Sequence, residues 1–199
     1  MAKILALGSV ASKIFKFDIT LRTHNIAIYS QVNTGTLNLM VYRENIQYPL
    51  RFESAFNQHR IIFDKNQEQF TKFFNRSYEL IIVAAHLGDI EAISALSNLI
   101  TTINMPLLKI AIISLPFQYE SVKKRKYIDD LLIRTKFGMD IVFTLDTDMY
   151  YKHSIKSPSP EADTNRVILT LSEVIQHTLS KPLPGLLSEL KTKPGFNIL

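Results

Sequence analysis

The sequence predicts an α/β domain, a doubly wound and mostly parallel sheet flanked by helices. Two observations carry the prediction. Short apolar runs, apolar on both faces and rich in β-branched residues, alternate with longer amphipathic stretches. Continuous apolar strands are what a parallel sheet covered on both faces requires. The 199 residues, 46% of them hydrophobic, suffice for one sizeable core and are too few for two ordinary domains. Residues 1–199 therefore read as a single domain.

Taken in order, Lys3 to Leu7 is the first strand and Asn25 to Val32 the second. Leu80 to Ala85, Leu108 to Leu115 and Met139 to Leu145 are the third, fourth and fifth. Between them, Gln67 to Phe74 brings Phe70, Phe73 and Phe74 to one side of a helix. Ile90 to Ile103 places Ile93, Leu96, Leu99, Ile100 and Ile103 at helical spacing. Ser121 to Lys136 is a charged helix with a stripe of Ile128, Leu131 and Leu132. A long amphipathic helix is expected over about 164–179. Residues 41–66 fit the alternation poorly and read as an edge hairpin or an irregular loop. Residues 157–160 read as a loop, and Lys181 to Gly185, with two prolines, as the break after the long helix. The C-terminal segment 186–199 has room for a short helix over 186–190.

Composition removes several classes of function. There is no cysteine, so there is no disulfide framework and no thiol chemistry. No apolar run approaches the ~20 residues of a membrane-spanning helix, and the charged residues that follow the first apolar run argue against a signal peptide. A cytoplasmic chain is the expectation. The net charge of +5 fits a basic surface. The Lys123 to Lys126 cluster is followed at once by Asp129 and Asp130, with Tyr127 the single aromatic nearby. That reads as a charged helix face, and nucleic acid is an unfavoured partner. None of the five histidines has metal-ligand spacing, so no metal site is expected. Asp146 and Asp148 at a strand end read as a loop cap.

In an open parallel sheet, ligands sit at the carboxyl ends of the strands. Gly8 follows the first strand and leads into Ser9-Val10-Ala11-Ser12. The second strand ends in Val32-Asn33-Thr34, the third in Ala84-Ala85-His86-Leu87-Gly88. The fourth runs into Pro116-Phe117-Gln118-Tyr119-Glu120 and a basic cluster, and the fifth into Asp146-Thr147-Asp148. Lys193-Pro194-Gly195 lies near the end. This order and spacing resemble the nucleotide-binding domain of FtsZ, the bacterial relative of tubulin, over nearly the whole chain. Residues 41–66 carry no part of the resemblance.

The resemblance implies a Rossmann-like GTPase domain, and the sequence departs from it at the phosphate loops. Such loops hold phosphate with backbone N–H groups in glycine-rich turns. The first turn keeps only Gly8, and Val10 and Ala11 add side chains where a phosphate needs room. The glycine–threonine loop of the family corresponds to Gly88-Asp89-Ile90-Glu91-Ala92-Ile93-Ser94, with one glycine left. Asp89 and Glu91 put carboxylates in the first helical turn, where they complement the helix dipole and repel phosphate. Of the other implied contacts, Glu120 matches the sugar-binding Glu and Lys124 falls on the family Arg. Thr147 replaces an Asn, and Glu173 matches the acid that reads guanine. His86, at a strand end, is read as a satisfied polar residue in the filled cleft.

The vestigial pocket expected is therefore Gly8, Asn33, His86, Gly88, Asp89, Glu91, Glu120, Lys124, Thr147 and Glu173. The acids that position water in the family lie beyond the family's Pro-Gly, and with the second domain are expected to be lacking here. The expectation is a non-catalytic, FtsZ-like interaction or scaffold protein without GTPase activity and without a cofactor beyond weak GTP or GDP binding. Its expected partner is a protein, either FtsZ or further copies of the chain. A nucleotide-binding switch with a rearranged pocket and a basic nucleic-acid accessory protein are the alternatives.

Overall fold

The computed structural model describes residues 2–17, 21, 25–29, 52–65, 67–74, 80–102, 108–117, 122–149, 160–180 and 196–199. The strands are β1 (Ala2–Leu7), β2 (Asn25–Tyr29), β3 (Leu80–His86), β4 (Leu108–Ser114), β5 (Ile141–Leu145) and β6 (Phe196–Ile198). The helices are α1 (Gly8–Ser12), α2 (Ile14–Phe17), α3 (Phe52–Lys65), α4 (Gln67–Phe74), α5 (Ile90–Thr102), α6 (Val122–Gly138) and α7 (Pro160–Ser180).

Six strands form one sheet in the order β2-β1-β3-β4-β5-β6. Every pairing from β2 to β5 is parallel, and β6 joins β5 antiparallel. The expected doubly wound, mostly parallel sheet is the fold observed. Its strands alternate side chains between two cores, as the two-residue strand period dictates. Leu5, Leu7, Ile81, Val83, Ala85, Ala111 and Ile113 point to one face and pack with α4, α5 and α6. Ile4, Ala6, Ile82, Ala84, Ile110, Ile112 and Phe143 point to the other and pack with α1, α2 and α7. Burial on both faces is why the strand sequences are continuously apolar.

Two expectations are corrected. The segment read as an edge hairpin or irregular loop holds α3, a helix of 14 residues. Ala55, Phe56 and Phe63 recur at helical spacing, and Ala55 and Phe63 are buried while Phe56 is half-buried. Phe63 stacks on Phe70 of α4 with centroids 4.4 Å apart. Residues 41–51 lie outside the described residues. The long helix starts earlier than about 164, at Pro160, where a proline at the first helical position loses no needed N–H. Pro160, expected in the loop, is therefore helical, and 157–159 lie outside the described residues. The segments 181–185 and 186–190 also lie outside them.

Three elements were absent from the sequence reading. Helices α1 and α2 follow β1 almost without a break, and β6 adds a strand of 3 residues at the sheet edge. The phenylalanines of α4 do enter the core: Phe70 and Phe74 are buried, and the half-buried Phe73 carries the buried Lys3 ammonium 4.2 Å above its ring. Among the described residues no helix is long and apolar enough to cross a membrane.

Candidate functional site

The chain leaves β1 to make β2 on one side and returns to make β3 on the other side of β1. This reversal is a topological switch point, and in open α/β sheets ligands sit at such a point, here the carboxyl ends of β1 and β3. Gly8 follows β1 and Asp89 follows β3, so the sheet itself brings together residues far apart in the sequence.

Gly8 has φ +85, a conformation that favours glycine. A Cβ at Gly8 would lie 2.5 Å from Asp89 Oδ2 and 2.9 Å from Ala92 Cβ. The glycine therefore serves two ends, the turn out of β1 and the close approach of a carboxylate. Helix α1 begins with no side-chain cap of its own. Its free N–H groups need an acceptor. Asp89 supplies one: Ser9 N–H donates to Asp89 Oδ2 at 2.6 Å, and Ser9 Oγ donates to the same oxygen at 2.8 Å. Ser12 Oγ donates in turn to the Ser9 carbonyl at 2.8 Å.

The other oxygen of Asp89 serves its own helix. Glu91 N–H donates to Asp89 Oδ1 at 3.1 Å, and Ile93 N–H donates to the Asp89 carbonyl at 3.0 Å. That is N-cap geometry for α5. One carboxylate thus caps two helices, and its charge meets the positive ends of both backbone arrays. Each charge-assisted hydrogen bond of this kind is worth roughly 1.5–3 kcal/mol. Glu91, in the first turn of α5, is buried.

The remaining candidates divide into those near this contact and those elsewhere. Gly88 sits in the turn between β3 and α5, and its carbonyl accepts a hydrogen bond from Lys124 Nζ. Lys124 thereby ties the first turn of α6 to the approach to α5. His86 is buried at the end of β3, with Nδ1 at 2.8 Å from Ser114 Oγ and its ring edge-on to Phe117 at 6.0 Å. Thr147 is buried, and its Oγ1 donates to the Leu115 carbonyl at 2.9 Å, joining the exits of β4 and β5. Glu173 is exposed on α7, which packs on the sheet through Val167, Ile168, Leu171, Val174 and Ile175. Asn33 and Glu120 lie outside the described residues. Among the described residues no group of three or more His, Asp or Glu side chains is placed to hold a metal ion.

Ser9 is the residue that sequence reasoning missed. The sequence shows it only as the residue after Gly8, at the exit of the first strand. Its partner was not legible, because the contact spans 80 residues and follows only from the order of strands.

The arrangement has direct chemical content. A phosphate at this helix start would compete for the Ser9 donors that Asp89 already holds. At ~4 Å from the carboxylate it would meet a repulsion of about 4 kcal/mol at an effective dielectric of ~20.

Neither a family model nor a curated protein sequence matches the chain. Solved structures do. The chain is similar to the empty FtsZ dimer of M. jannaschii, with TM-score 0.67 and 11% identity over 92% of this chain and 56% of that one. It is similar to CetZ from Methanosaeta thermophila, with TM-score 0.68 and 12% identity over 89% of this chain and 53% of that one. It is also similar to the GTPγS-bound protofilament of CetZ2 from Haloferax volcanii, with TM-score 0.66 and 14% identity over 96% of this chain and 64% of that one. The fold is therefore FtsZ- and tubulin-like, as the order of the loop motifs implied. The chain spans little more than half the length of the FtsZ and CetZ chains it matches first.

Proposed function

We propose that the chain is a non-catalytic, FtsZ-like pseudo-GTPase that works as an interaction or scaffold protein in the cytoplasm. Its partners in this reading are protein partners, either FtsZ or further copies of the chain, in a cytoskeletal or cell-division assembly. The observation that carries the proposal is the Asp89 carboxylate on Ser9 N–H and Oγ, at 2.6 and 2.8 Å, at the switch point of the sheet. An anion-binding helix start is kept, and an anion belonging to the protein occupies it. The protein thereby gains a fixed internal contact where a GTPase needs an exchangeable one.

The likeness to a GTPγS-bound CetZ2 protofilament supports self-association as one form of the partnership. The resemblance in the loops supports FtsZ as the other. The test is steady-state GTP hydrolysis by the purified chain, alone and mixed with FtsZ. Phosphate release at the background rate is expected from the chain alone, and release in the mixture should not exceed that of FtsZ by a term proportional to the chain. Turnover by the chain alone would end the proposal.

A further inference from the structure

We draw no further inference here: the strongest candidate, the exposed apolar patch of Val122, Ile133 and Phe137 on α6, carries nothing because nothing in the structure shows what covers it.

Discussion

At Gly8 the backbone turns out of β1 with φ +85, and the Asp89 carboxylate lies against it. The two residues depend on each other. A side chain at position 8 would be strained by the backbone and would strike Asp89 Oδ2. Gly8→Ala should therefore cost about 2–4 kcal/mol, combining left-handed strain with overpacking. Asp89→Ala removes the acceptor for Ser9 N–H, Ser9 Oγ and Glu91 N–H, and leaves helix starts uncapped. It should cost about 3 kcal/mol, whereas Ser9→Ala, which keeps the backbone N–H, should cost about 1 kcal/mol. Urea denaturation of the single and double variants measures these values. The Ser9–Asp89 cycle should return a coupling of about 1 kcal/mol. Additive effects would mean that the contact is not formed in solution.

At the scale of elements, the strands were legible because burial on both faces leaves no room for polar alternation. Leu80 to His86 is the plainest case, with Ile81 to Ala85 buried throughout. Helix α3 was not legible in the same way. Its run of Asn57, Gln58, His59 and Arg60 interrupts the apolar pattern, and Phe56 and Phe63 lie on opposite sides of that run. The structure shows what they do: Phe63 stacks on Phe70, and Phe56 meets Tyr127 of α6 edge-on at 5.0 Å. Phe63→Ala should cost about 3–5 kcal/mol, as for a buried aromatic truncated in a packed core. Thermal or urea unfolding measures it, and a loss below 1 kcal/mol would mean that α3 is not seated on the core. Strand β6 was illegible for a different reason. Three residues at an edge carry no periodicity, and their place is set by pairing with Phe143, Thr144 and Leu145. The site was half legible: Asp89 could be read as a helix cap, but its second role, capping α1, needs β1 and β3 to be neighbours.

For the whole molecule, two cores on either face of one sheet fix the switch point between β1 and β3, and the fold is that of FtsZ and CetZ at 10–14% identity. Fold and chemistry separate at such distances, because activity resides in the site and not in the sheet. In the proposed function the Asp89 carboxylate on Ser9 takes the place of a bound anion, and calorimetric titration of GTP into the chain probes that claim. The wild type should show no binding at millimolar GTP. Asp89→Gly with Glu91→Thr, at matched salt, removes two negative charges from the start of α5 and leaves Val10, Ala11, Ile90 and Ile93 in place. That variant should recover weak binding at most, since charge relief does not restore the glycines that let a backbone approach phosphate closely. Micromolar GTP binding by the wild type would contradict the claim.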